Sequence, residues 1–371
     1  MILLISMRDP FLDNDRVMPP LGVMSIKGAL DKMGTSCKIE NDFKFDGRYT
    51  DVTEFWVSCM TPEYGYAVEL LRHIQSVYPG KKTVIGGPHT THYPVTENWD
   101  HVFIGDFVTS EILPYREPSF INQYEFRVRG KRATTIMTAK GCPMSCGFCE
   151  DAGTHVILHS TDFVSRQIYQ CRDAGFDSIM FFDDIFALNY NRVKELTNMI
   201  SPHNITYRCF GHAKTMTHKM AEMLSKSGCV EIGVGFESGS QSILNTINKR
   251  TTIDQYKQFL QLMVSFNIKV KAFFILGLPG ETQETIHETE KLLQTLKTIN
   301  PINDFDMTIY YPYRGTHIRD NIHEYDLQIC GAENGVYKGL GGHSDAIVRT
   351  SSLSEKQIQS EQQRLLRSYK S

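Results

Sequence analysis

Apolar positions in the first third of the chain fall into short runs separated by helical patterns. Ile2–Ser6 is an apolar run of strand length, and Leu21–Met33 carries Leu21, Met24, Ile26, Leu30 and Met33 at helical spacing until Gly34 stops it. Phe55–Ser58 reads as a second strand and Ala67–Val77 as a second helix, closed by Pro79-Gly80. Thr83–Ile85 runs into Gly86-Gly87-Pro88, and Val102–Ile104 ends at Gly105. Short apolar strands alternating with helices predict a parallel, doubly wound sheet over residues 1–113, with its ligand site at the carboxyl ends of the strands.

Residues 114–132, with Pro114, Pro118 and mixed polar positions, read as a linker. From 133 to 318 the alternation resumes. Strands are expected at Thr135–Thr138, Ser178–Phe182, Tyr207–Phe210, Glu231–Gly235, Val270–Gly277 and Met307–Tyr311. Helical stretches separate them, among them Val164–Ala174, Ile253–Phe266 and Thr282–Thr298. Six such repeats predict a partial (β/α)6 barrel that functions at the carboxyl ends of its strands. Residues 319–371 form a tail with one helix near Ser354–Ser368, N-capped by Ser352 or Ser354.

Composition narrows the function classes. The chain is 41% hydrophobic and 22% charged with net charge −3, an ordinary soluble globular profile that gives no reason to expect a nucleic-acid surface. Its one basic cluster, Arg127, Arg129, Lys131 and Arg132, alternates with Phe126 and Val128 and reads as the outer face of a short strand. No segment reaches the roughly 18–20 apolar residues that span a bilayer, and Met1–Ser6 lacks the basic start of a signal peptide. Nine cysteines, three of them within eight positions, fit a metal site in a reducing compartment, so a cytoplasmic location is expected.

Those three are Cys142, Cys146 and Cys149 in Gly141-Cys142-Pro143-Met144-Ser145-Cys146-Gly147-Phe148-Cys149. Three close thiolates can wrap one inorganic cluster, whereas an electron-transfer cluster takes four. No fourth cysteine sits at short spacing, so one iron would stay open, as at a catalytic zinc. A non-catalytic iron–sulfur carrier would need that fourth ligand. Zinc sites usually come as two ligand pairs.

The motif resembles the signature of radical S-adenosylmethionine (SAM) enzymes, and the likeness continues along the second unit. Phe181–Asn189 resembles the second-strand segment of the cobalamin-associated branch, with Asp183 and Asp184 where other members place the group that meets the SAM amino function. Gly233–Gly239 resembles the segment that contacts SAM ribose and carboxylate, which implies Glu237 and Ser238. Phe274–Glu281 resembles the segment near the adenine, which Phe148 and Gly277 would also approach, and Tyr310–Thr316 resembles the sixth-strand segment. The resemblance implies a 4Fe–4S cluster that cleaves SAM reductively to a 5′-deoxyadenosyl radical. It also implies an electron donor such as flavodoxin or ferredoxin. Where third strands of the branch often carry an acidic group, this chain has His212 and Lys214; with Tyr313 and Arg314 these are the catalytic candidates.

The first unit resembles the Rossmann-like cobalamin-binding domain that precedes many radical SAM barrels. Leu21, Ser58, Met60, Thr61, Gly86, Gly87 and His89 stand at the positions that would line a cobalamin cavity. The usual helix between the second and third strands is missing. The loop Met7–Asn14 has no histidine, so cobalamin would sit base-off, with no histidine on cobalt. The favoured reaction is cobalamin-dependent methyl transfer to an unactivated carbon. Cyclisation, rearrangement or oxidation, with or without cobalamin, is the alternative, and small-molecule, peptide, lipid and nucleotide substrates are all open. A corrinoid carrier that only shuttles methyl groups would leave the barrel motifs unexplained.

Overall fold

A computed structural model of the chain describes residues 1–7, 14, 16–331 and 346–370. It forms two compact units, the first built on residues 1–126 with a short piece at 169–174, the second on most of the remainder. The break falls inside the stretch read as a linker, which holds a short helix at Pro118–Ile121 and a strand at Phe126–Val128.

The first unit holds five parallel strands: β1 (Ile2–Ser6), β2 (Cys37–Glu40), β3 (Glu54–Ser58), β4 (Lys82–Gly86) and β5 (His101–Val102). Their order is β2-β1-β3-β4-β5, so the chain reverses direction across the sheet at β1 and β3. β1 is covered on both faces and reads as a continuous apolar run for that reason. Leu70, Leu71 and Ile74 of the helix Tyr64–Val77 pack with Phe55, Val57 and Ile85. Each such side chain, fully buried, stabilises by about 1.5–3 kcal/mol. As expected, no helix lies between β2 and β3.

The second unit is a curled half-barrel. Its strands are β6 (Phe126–Val128), β7 (Lys131–Ile136), β8 (Ser178–Phe181), β9 (Thr206–Gly211), β10 (Cys229–Glu237), β11 (Lys269–Leu276) and β12 (Asp304–Ile309). They lie in the order β12-β11-β10-β9-β8-β7-β6, with β7 to β12 parallel. The basic cluster is not one strand: Arg129 and Gly130, both at positive φ, turn the chain between β6 and β7. Side-chain caps fix the helices that follow the strands. Asn189, Thr217, Thr252 and Thr282 each accept the backbone N–H three residues on, as Ser354 does in the tail. On the outer face of β10 the Phe236 ring stacks on Tyr256 at 4.2 Å, and the Tyr256 hydroxyl donates to Phe236 O. No helix among the described residues is long and apolar enough to cross a membrane.

Candidate active site

The cysteine loop leaves the carboxyl end of β7 and returns at His159, whose N–H donates to Thr138 O. Arg192, buried and rooted in the helix Tyr190–Ile200, donates to both Thr138 O and His159 O at 2.9 Å and ties the two ends together. Inside the loop, Gly153 N–H donates to Met144 O at 2.7 Å and Cys142 N–H to the Thr154 hydroxyl at 2.9 Å. Gly141 has φ +96, and a Cβ there would stand 2.3 Å from His155 O, so only glycine lets the backbone pass. Gly147 N–H donates to Ile247 O, and Gly147 O accepts from Ile318 N–H, both at 2.9 Å. Cys142, Cys146 and Cys149 stand in this loop as free thiols, near enough to feel one another's charge. Burial raises all three, Cys149 to about 12, and each of Cys146 and Cys149 is raised further by its cysteine neighbours. Among the described residues no three side chains converge on a single point for one metal ion. A cluster makes no such demand, since it takes each thiolate on a separate iron.

The paired aspartates after β8 divide. Asp183 is buried, and its carboxylate accepts the N–H and hydroxyl of Thr138; burial still pushes it up to about 6. Asp184 is exposed and accepts Gly141 N–H at 2.7 Å. Asp183 is thus spent on Thr138 inside the protein, and Asp184 is the one of the two that offers an exposed carboxylate beside the cysteine loop.

Glu237 ends β10 at φ +61, buried, with Oε1 2.6 Å from Lys249 Nζ. Burial is the strongest influence on the Lys249 charge and opposes it, but Glu237, Tyr256 and Cys146 together hold the ammonium above its usual range. Ser238 is turned into the protein, sharing contacts with Thr289 and accepting Ser240 N–H. His212, just past β9, is buried and pushed down to about 4, chiefly by burial and then by Lys249 and Lys214. Its Nδ1 accepts Lys214 N–H at 3.3 Å, which leaves the hydrogen on Nε2. The Lys214 side chain itself is exposed.

A cavity of about 240 Å³ lies between Phe148 and Cys149 on one side and Ile275, Thr308, Tyr310 and Tyr313 on the other. Arg314 is exposed on the next turn. Gly277, at φ +81, packs against Val348 and Ile358, and its N–H donates to Glu281 Oε2. Glu281 is fully buried, and Thr350 donates to its backbone oxygen, so this turn knots β11 to the tail. Burial raises the Glu281 carboxyl to about 8. In the unfolded chain it ionises near the usual 4.5, so its contribution is complete below that pH and is lost as pH rises to about 8. Glu281→Gln keeps an acceptor for Gly277. Thermal melts should therefore show the wild type losing stability relative to Glu281→Gln between pH 5 and 8.5; parallel pH profiles would contradict a neutral buried Glu281.

In the first unit the ends of β3 and β4 touch. Gly87 has φ +102, and a Cβ there would meet Cys59 N and O at 2.7 Å. Ser58, Gly86, Gly87 and Leu21 are half-buried and Met60 is exposed. Thr61 and His89 are buried against each other, Nδ1 to Oγ1 3.3 Å, and the His89 ring lies between Tyr64 and Tyr93. Burial pushes His89 down to about 4. Arg8–Asp13 of the loop without histidine lie outside the described residues.

Lys249, Arg192, Thr138 and Glu281 were not among the residues expected from sequence. Lys249 sits in Asn248-Lys249-Arg250, which reads as a solvated run after a helix; nothing in its spacing signals burial.

Residues 136–293 match the radical SAM superfamily, a span that runs from the end of β7 through the cysteine loop to the helix after β11. The chain carries a radical SAM domain. Members of this superfamily bind a 4Fe–4S cluster and SAM, and the three cysteines lie in the matched span. An uncharacterized methyltransferase of Pyrococcus horikoshii is 27% identical over 231 residues, 61% of this chain and 47% of that relative. The chain thus spans about half the length of this curated relative. Among solved structures, the cobalamin-dependent SAM radical enzyme OxsB, with aqua-cobalamin and SAM bound, matches 99% of this chain and 66% of its own at TM-score 0.71 and 14% identity. The radical SAM methyltransferase TsrM from Kitasatospora setae, with cobalamin and a [4Fe–4S] cluster bound, matches 90% of this chain and 77% of its own at TM-score 0.66 and 14% identity. At such identities the likeness is one of fold, and it extends over both units.

Proposed function

We propose that this chain is a radical SAM methyltransferase that uses cobalamin to methylate an unactivated carbon. The observation that carries the reading is the cysteine loop, held by backbone bonds at the carboxyl end of the half-barrel beside the buried Glu237–Lys249 pair. The 4Fe–4S cluster would supply the electron that cleaves SAM, and cobalamin would supply methyl transfer. Cys142, Cys146 and Cys149 hold the cluster. Asp184 offers a carboxylate to the SAM amino group, and Glu237 has Oε2 left for the ribose. Phe148 and Ile275 form apolar walls for the adenine. Tyr313 borders the same cavity, and His212 presents a neutral N–H at the end of β9.

Ser58, Met60, Gly86 and Gly87 form the strand ends that would face a corrinoid. His89 is enclosed between two tyrosines, which supports a base-off corrinoid with no histidine on cobalt. Flavodoxin or ferredoxin is the class of electron donor such a site needs. Two facts favour methyl transfer: the relative is a methyltransferase by name, and the fold likeness to cobalamin enzymes spans the first unit as well.

Anaerobic purification with cobalamin supplied, followed by mass spectrometry of the bound cofactors and electron paramagnetic resonance of the cob(II)alamin form, tests this. One corrinoid per chain without nitrogen superhyperfine splitting is expected. Splitting from an axial nitrogen would refute the base-off assignment. Absence of any corrinoid would move the reading to a radical SAM cyclisation, rearrangement or oxidation.

A further inference from the structure

Lys249 is a buried lysine. Its side chain is 7% exposed, its Nζ is ion-paired to Glu237, and it lies 6.0 Å from the centre of the Phe148 ring. The backbone around it is stitched to the cysteine loop. Ile247 O accepts Gly147 N–H, and the Asn248 amide donates to Ser145 O at 2.7 Å and to the Ser145 hydroxyl at 3.1 Å. Asn248 and Arg250 both sit at φ 54, so a left-handed residue on each side turns Lys249 inward.

Stability alone gives little reason for this arrangement, because a buried ion pair roughly offsets its own desolvation. Geometry sets the ammonium toward the loop: Lys249 Nζ lies 6.0 Å from the centre of the Phe148 ring, next to Cys149 in the chain, while Asn248 holds the backbone beside it to Ser145. The pair therefore places a buried cation against the cysteine loop.

We propose that Lys249 is a positioning residue whose buried ammonium holds Glu237 in place and raises the reduction potential of a cluster bound by Cys142, Cys146 and Cys149. The inference rests on reading those thiolates as cluster ligands. When one electron enters from an external reductant, negative charge at the site grows by one, and Lys249 neither gains nor loses a proton. A nearby buried cation favours the reduced form over the oxidised form.

The test uses the full chain, reconstituted anaerobically with iron and sulfide and titrated with dithionite while the reduced-cluster signal is followed by electron paramagnetic resonance. Lys249→Met should keep its iron and shift the oxidised-to-reduced balance at least tenfold toward oxidised, a fall of about 59 mV for a one-electron couple. Lys249→Arg keeps the charge and should restore most of the shift. An iron-loaded Lys249→Met at the wild-type midpoint overturns the proposal. Should that variant lose its iron, Glu237→Gln/Lys249→Met removes both buried charges, and its midpoint must also fall; a wild-type midpoint there overturns the proposal equally. Failure of the wild type itself to take up a cluster would overturn the cluster reading, and this inference with it.

Discussion

Alanine at Cys142, Cys146 and Cys149 together is expected to remove all bound iron and all SAM cleavage while leaving the fold intact. Thiolates are the only side chains in the loop strong enough to hold an iron–sulfur cluster, so no partial site survives. The fold should survive because backbone groups anchor the loop. Gly141 N–H to Asp184, Gly153 N–H to Met144 O and the paired bonds of Gly147 to Ile247 and Ile318 involve no sulfur. The remaining cysteines supply the control. Cys37 and Cys330 lie away from the loop in sequence, and Cys171 is buried in the helix Thr161–Asp173. Replacing any of these three should leave iron content at the wild-type level. Iron and sulfide assays on anaerobic protein, with circular dichroism as the check on folding, decide the matter. Wild-type iron in the triple variant would sink the cluster assignment.

The triad was legible because its spacing is itself the chemistry. The strands of both units were legible where burial on both faces makes the sequence uniformly apolar, as in β1. Where one face is polar the signal fades. β2, Cys37-Lys38-Ile39-Glu40, lies at the sheet edge and buries only Ile39, so no apolar run marks it. β7 begins at Lys131 and ends at Ile136, earlier than its apolar residues imply, since Arg132 lies over the Phe176 ring and keeps its charge at the rim. β10 extends to Glu237, although a glutamate at positive φ carries no strand signal. Within the site, composition cannot tell Asp183 from Asp184, because only the turn after β8 decides which one meets Thr138. Lys249 was hidden for a related reason: a long-range partner twelve residues away buries a side chain whose type and neighbours indicate a surface.

That hidden pair also fills the space above Gly235. A Cβ there would lie 2.0 Å from Glu237 Oε1 and 2.9 Å from Lys249 Nζ, and the three nearest atoms all belong to the pair. Gly235 does not have positive φ, so its backbone suits alanine, and the obstacle is the folded-back carboxylate alone. Gly235→Ala must therefore expel Glu237 and leave the Lys249 ammonium buried without its partner. Breaking a buried pair in this way costs about 3–5 kcal/mol. SAM binding should fall with it, since the Glu237 carboxylate leaves the end of β10. The cause can be separated from a general intolerance of bulk. In a Glu237→Ala/Lys249→Met background both obstructing groups are gone, and alanine at 235 only stiffens the unfolded chain. Its effect there should be neutral or stabilising by about 0.4–1 kcal/mol. Denaturant unfolding of the four proteins closes the cycle, and a coupling of about 3 kcal/mol or more is expected from a shared contact of this kind. If Gly235→Ala costs the same in both backgrounds, the pair does not occupy the space above Gly235, and the geometry that holds Lys249 beside the cysteine loop is wrong.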